Sequence, residues 1–208
     1  TSRRQRQMCI RDRGAAIYLV EYAKKGNKLV GIIRVMAETL SGIPSIIYGL
    51  FGMLFFVTAL KWGYSMMAGA ATLAIMVLPV IMRTTEEALL CVPDSFREGS
   101  FGLGAGKLRT IFKIVLPSAI PGILSGIILA IGRIVGETAA LIYTSGTVAN
   151  LAGFFDSGRT LAIHMYSLSR EGMHTNEAYA TAVVLLIVVL IINGVSSLIA
   201  KKFEAPKQ

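Results

Sequence analysis

From Ala178 to Ala200 the chain reads AYATAVVLLIVVLIINGVSSLIA, without one charged residue. That length matches the ~20 residues an α-helix needs to cross a bilayer, where backbone polar groups must be satisfied within the segment. Three further apolar runs cover 44–60, 64–82 and 118–145, the first two also without charge and the third carrying Arg133 and Glu137. The expectation is an all-α polytopic membrane protein with about four full transmembrane helices. Pro44 stands in the first turn of its run, where a missing donor costs least. Gly49, Gly52, Gly69, Ala70, Ala71, Asn193 and Gly194 are positions where another helix can approach closely. Lys61 and Trp62 mark an interface, Gly63 a turn and Pro79 a kink.

Composition narrows the class. The sequence is 54% hydrophobic and 16% charged, where soluble domains carry roughly 25% charge. A net charge of +9 raises nucleic acid as a partner, but the basic residues flank apolar runs instead of gathering on one face with aromatics between them. Lys24, Lys25, Lys28, Arg34, Arg83, Arg97, Lys107, Arg109, Lys113, Lys201, Lys202 and Lys207 fall on one side, and Lys61, Arg159 and Arg170 on the other. The positive-inside rule makes the first side cytosolic, so the loop 84–117 and the C terminus are expected inside. Cys9 and Cys91 are too few for a disulfide framework. His164 and His174 have no Cys or carboxylate at ligand spacing, and no metal site is expected.

The ends are read separately. Residues 1–13, TSRRQRQMCIRDR, fit nothing downstream and read as a non-native, adapter-derived tail. Residues 14–23 are apolar but half the length of a span, and read as the cytosolic end of a partial helix whose start is missing. Residues 29–40 form a surface helix with Val30, Ile33, Ala37 and Leu40 on one face and an Arg34–Glu38 pair at i,i+4. Between the third and fourth runs the chain turns polar, with a short helix expected over Thr160–Leu168 carrying His164, Met165 and Tyr166.

The polar island PDSFREGSFGLGAGKLRTIFKIVLP, from Pro93 to Pro117, organises the middle. Ser95 and Glu98 make a capping box, so a helix is expected to start after Ser95 and to end at Gly102, Gly104 and Gly106. A second helix from Lys107 places Leu108, Ile111, Phe112 and Val115 on one face until Pro117 stops it. Upstream, Thr84 and Glu87 suggest another box and a short helix over 86–91. The glycines do not make a phosphate loop: G-x-x-x-x-G-K-[ST] ending at Gly106-Lys107 would need Gly at Phe101 and Ser or Thr at Leu108. No nucleotide site is expected.

Glu98-Gly99-Ser100, three residues, Gly104, nine residues and Ile114-Val115-Leu116-Pro117 resemble the EAA loop of ABC importer permeases, E-A-A-x3-G-x9-I-x-L-P, with small Gly and Ser in place of two alanines. The resemblance implies the type I (MetI-like) ABC importer permease fold, and a cytosolic coupling helix that docks on a separate ATPase subunit. It assigns ATPase coupling to Glu98, Gly99, Ser100, Gly104, Ile114, Leu116 and Pro117. A domain over 14–208 follows.

Arg133 and Glu137 are the only charged residues deep in an apolar run. An Arg at a helix centre costs about 2.5–3.5 kcal/mol on insertion scales, and persists where it meets partners or water. Two readings stand: an i,i+4 ion pair that only pins helices, or a guanidinium that offers a planar fork of donors to a tetrahedral oxyanion, with Glu137 holding it. GRIVGETAAL is similar to the G-R-x-x-G-E-T segment of phosphate-specific ABC permeases, and IPSIIYGLFG with RTTEEAL resembles their A-type subunit. The likeness implies inorganic phosphate as substrate and Arg133, Glu137 and Thr138 on its path. Implied partners are an ABC ATPase dimer, a C-type second permease subunit and a periplasmic phosphate-binding protein in the bacterial inner membrane. The chain itself is expected to be no enzyme and to bind no cofactor, ATP and Mg belonging to the ATPase. An ion-coupled secondary transporter would need a second half with matching broken helices, and a structural anchor leaves the EAA spacing unexplained.

Overall fold

A computed structural model describes residues 28–149, 153–172 and 174–203. The tail at 1–13 and the partial helix at 14–23 lie outside the described residues. Among those described there is no strand. The elements are α1 (Lys28–Ser41), α2 (Ser45–Ala59), α3 (Met66–Leu90), α4 (Asp94–Gly102), α5 (Lys107–Val135), α6 (Ala139–Ile142), α7 (Leu161–Glu171) and α8 (Thr175–Phe203). By length and composition α3, α5 and α8 can cross a membrane, and a fourth span exists if α1 and α2 together form one broken span.

Several boundaries differ from the sequence expectation. The run 64–82 belongs to a helix that continues through Pro79 and Arg83 to Leu90. No new helix is capped at Thr84, whose hydroxyl instead donates to the carbonyls of Val80 and Ile81 inside α3. The elbow helix α4 begins at Asp94 behind Pro93, without a side-chain cap from Ser95. Pro117 does not stop α5. A π-helical turn over Ile111–Val115 precedes it, and the helix runs on through Pro117 and Pro121 to Val135. In such a turn the hydrogen bonds step from i−4 to i−5, which lets a helix continue past a residue that has no N–H to give. The expected span over 118–145 is therefore helical from Lys107 but breaks at residues 136–138.

Packing falls into two compact units. One comprises the described residues of 1–40, 78–130 and 196–208. Leu89, Val92, Val115, Ala119 and Ile123 are its buried core, flanked by Ala88, Leu116 and Ile127. Here α3 and α5 meet through small residues: a Cβ at Gly122 would lie 2.8 Å from Ala88 Cβ, and one at Gly126 2.3 Å from Thr84 Oγ1. GILSG is a G-x-x-x-G repeat, and its bare backbone lets the helices touch. The α1–α3 contact is ionic. Arg34 pairs with Glu86, not Glu38, and Glu38 turns to Arg83, which also holds Glu87 at 3.0 Å.

The other unit comprises residues 41–77 and 131–195. Its centre is again built of small residues. A Cβ on Gly49 would meet Ala140 Cα at 2.8 Å, and one on Gly52 would meet Thr72 Oγ1 at 2.2 Å. Fully buried Thr72, Thr144 and Ser145 return their hydroxyls to Ala68, Ala140 and Leu141 of their own helices, so no polar atom is stranded there. The first N–H groups of α3 are taken by the carbonyls of Asp156 and Phe154 and by Ser65 Oγ. The helix expected over Thr160–Leu168 runs from Leu161 to Glu171, with Thr160 as its cap accepting from the N–H of Ile163.

Candidate functional site

The chain leaves its helix at the residues the sequence singled out. α5 ends at Val135; Gly136, Glu137 and Thr138 are non-helical, and α6 restarts at Ala139. Backbone groups at the break are held locally: Gly136 N–H reaches Gly132 O, Glu137 N–H reaches Ile134 O, and Glu137 Oε1 accepts from the N–H of Ala140 at 3.2 Å. Thr138 Oγ1 donates to Gly136 O at 3.4 Å. Interrupted backbone in a span is tolerated where protein groups satisfy it, and a buried carboxylate does so here.

This arrangement removes the i,i+4 pair. Glu137 is only 8% exposed and committed to the start of α6, while Arg133 in the last turn of α5 is exposed. Among the described residues no carboxylate forms an ion pair with Arg133. The i,i+4 relation needs a continuous helix, and the turn at Gly136 swings the following residue away. Glu137 therefore does not hold Arg133 by a salt bridge. Arg133 is a planar fork of donors without a partner carboxylate, chemistry suited to an oxyanion.

The elbow is built by residues on both sides of it. Arg97 donates from Nη1 to Val92 O at 2.7 Å and from Nη2 to Leu89 O at 3.0 Å, and pairs with Asp94 at 3.0 Å. It thereby caps the last turn of α3 at Leu89, holds Val92 just beyond it and fastens α4 to both. Ser100 and Thr110, both buried, join hydroxyls at 2.8 Å and close α4 against the start of α5. Gly104 between them has φ +78°, the left-handed region where a β-carbon is costly. Glu98 and Gly99 are exposed on α4, Ile114 is half-buried, Leu116 flanks the core, and Pro117 is exposed. Phe96, Phe101 and Leu103 are exposed as well, Leu103 to 90%.

Sequence reasoning missed Arg97, Thr110 and the Gly122–Gly126 seam. The last was readable as G-x-x-x-G in an apolar run; the first two had no local signal. Cys91 is exposed just after the end of α3. Among the described residues no group of His, Cys, Asp or Glu is placed to hold a metal.

Comparison with known proteins gives a consistent picture. The family described as binding-protein-dependent transport system inner membrane component matches residues 14–205. The probable ABC transporter permease protein YqgI of Bacillus subtilis is 38% identical, covering 92% of this chain and 72% of its own length. The phosphate transport system permease protein PstA 1 of Mycobacterium tuberculosis is 37% identical over 88% of this chain, which spans 61% of that relative. An inward-facing structure of the MetNI methionine ABC transporter aligns with 96% of this chain and 92% of its own, at a TM-score of 0.73 and 20% identity, a likeness of fold.

Proposed function

Because the chain belongs to the family of binding-protein-dependent transport system inner membrane components, we propose that it is a permease subunit of an ATP-driven importer of inorganic phosphate. The observation that carries this reading is Arg133: an exposed guanidinium at an interrupted span, in a chain whose relatives include phosphate transport system permeases. A phosphate in a low-dielectric passage needs a cation, and Arg133 has given its charge to no carboxylate among the described residues. Glu137 and Thr138 shape the passage differently from Arg133, by fixing the break that presents it.

The elbow supplies the drive. Glu98, Gly99 and Gly104 form the surface offered to an ABC ATPase dimer, with buried Ser100 bracing them from behind against Thr110, and Ile114, Leu116 and Pro117 lie early in α5, which continues to Val135. Closure of the ATPase moves the elbow, and α5 carries that movement to Arg133. ATP and Mg belong to the ATPase, and this chain contributes no catalytic residue. A C-type permease subunit and a periplasmic phosphate-binding protein complete the machine, with loop 84–117 and the C terminus on the cytosolic side of the inner membrane. The permease domain comprises residues 14–208.

Uptake of labelled phosphate by vesicles holding the full complex tests the reading. Arg133→Gln should assemble at normal level and lose uptake at least tenfold, about 1.4 kcal/mol or more of lost stabilisation of the anion. Near-normal uptake by that variant would sink the role of Arg133.

A further inference from the structure

A groove on the elbow carries two cations and no acid. It is lined by Ser100, Leu103, Gly104, Arg109, Lys113 and Ile114, with Ala105 beside them. The other charges of the elbow are spoken for or lie elsewhere: Arg97 and Asp94 pair with each other, and Glu98 does not line the groove. Arg109 and Lys113 are exposed. A Cβ at Gly104 would meet nothing within 4 Å, so the mouth beside it is open. Leu103, which lines the groove, is 90% exposed, and Leu108 and Phe112, the sequence neighbours of Arg109 and Lys113, are 62% and 56% exposed. Two like charges that form no ion pair among the described residues repel each other until an anion enters, and Leu103 beside them excludes water once a protein covers it.

We propose that this groove receives an acidic side chain, Asp or Glu, of the docking ATPase subunit, which lies between Arg109 and Lys113 while Leu103 and its apolar neighbours are covered. This rests on the reading of the elbow as the ATPase-docking surface and adds the chemistry of the contact. Neither cation belongs to the small-residue pattern at Glu98–Gly104. The contact is a charge pair at the rim of an interface, so it tunes the rate and salt dependence of docking more than the fold of either partner.

The test uses the purified complex in detergent, with the ATPase subunit titrated onto the permease subunits by a surface-binding assay at several salt concentrations. Wild-type affinity should fall as salt rises from about 0.05 to 0.5 M, because exposed charges are screened within a Debye length of ~10 Å at 0.1 M. Arg109→Glu with Lys113→Glu should weaken binding at least tenfold at low salt, and its affinity should then rise with added salt, the reverse sign. Arg109→Gln with Lys113→Gln should fall between the two and be salt-insensitive. All three permeases should reach the membrane at equal level.

If wild-type binding is tight but neither salt nor reversal changes it, the acidic contact is overturned and the docking reading stands. If the wild-type elbow binds no ATPase, both fall. If reversal leaves ATPase binding intact but strips co-purifying phosphatidylglycerol, the groove seats an anionic lipid and the inference is overturned.

Discussion

Arg34 on α1 forms its ion pair with Glu86 on α3, one helix away, and not with Glu38 one turn along its own helix. Glu86 is 6% exposed, so a carboxylate enters the α1–α3 contact and its charge is met there, while the partly exposed Arg83 gathers Glu38 and Glu87 outside. The helices are thus cross-linked by exchanged partners.

Removing one member of that inner pair should cost stability, and removing both should cost less than the sum. Arg34→Gln leaves a buried carboxylate without its cation and should destabilise by about 1–3 kcal/mol. The double change with Glu86→Gln should recover part of it. Thermal unfolding of the four proteins of the cycle in detergent reads the coupling. Strict additivity would show that the pair does not form.

The α3–α5 seam should be intolerant at one place and tolerant at another. Gly126→Val drives a side chain into Thr84 and should cost about 1–3 kcal/mol or displace the helix. Gly194→Val on α8, where nothing lies within 4 Å, should leave the unfolding temperature nearly unchanged. Equal losses at both sites would count against the seam.

At the break, the acceptor matters more than the charge. Glu137→Gln keeps an oxygen for Ala140 N–H and should hold the fold, whereas Glu137→Ala should lose about 0.5–2 kcal/mol, as a lost helix cap does. Since Arg133 and Glu137 are not paired, Arg133→Gln and Glu137→Gln should combine additively in phosphate uptake. Restoration of uptake in the double variant would reinstate the pair.

Arg97 should govern the order of the elbow. Arg97→Gln removes charge-assisted bonds to Leu89 O and Val92 O, and amide exchange over 93–104 should accelerate several-fold while exchange in the buried part of α3 stays slow. Unchanged exchange in α4 would mean that the helix is held by something else.

Orientation can be read with thiols. In a Cys9→Ser background, native Cys91 is exposed after α3, and Phe154→Cys places a second thiol where the side chain is 78% exposed. A membrane-impermeant maleimide applied to intact cells should label residue 154 at once and Cys91 only after permeabilisation. The opposite order would invert the proposed topology.

Local chemistry made a good part of this chain readable in advance. Apolar runs of bilayer length can only satisfy their own backbone as helices, which is why α3, α5 and α8 fall on them. The end of α4 at the glycines 102–106 and the start of α7 beside Thr160 depend on residues next to one another, and both were legible, whereas the cap by Thr160 and the left-handed turn at Gly104 were not. The position of Arg133, Glu137 and Thr138 was legible too, because charge in an apolar run stands out. How they are joined was not.

What the sequence alone determined is therefore the helices, the place of the elbow and the odd charges in the membrane, all properties of neighbours a few residues apart. Tertiary structure decided the rest: that α5 passes Pro117 yet stops at Val135, that Glu137 turns to Ala140 and leaves Arg133 without it, and that Arg34 chooses Glu86 over Glu38. An ion-pair partner is selected by burial and by distance across a helix contact. Where backbones meet is likewise decided by residues far apart along the chain, as by Gly122 and Gly126 of α5 against Ala88 and Thr84 of α3.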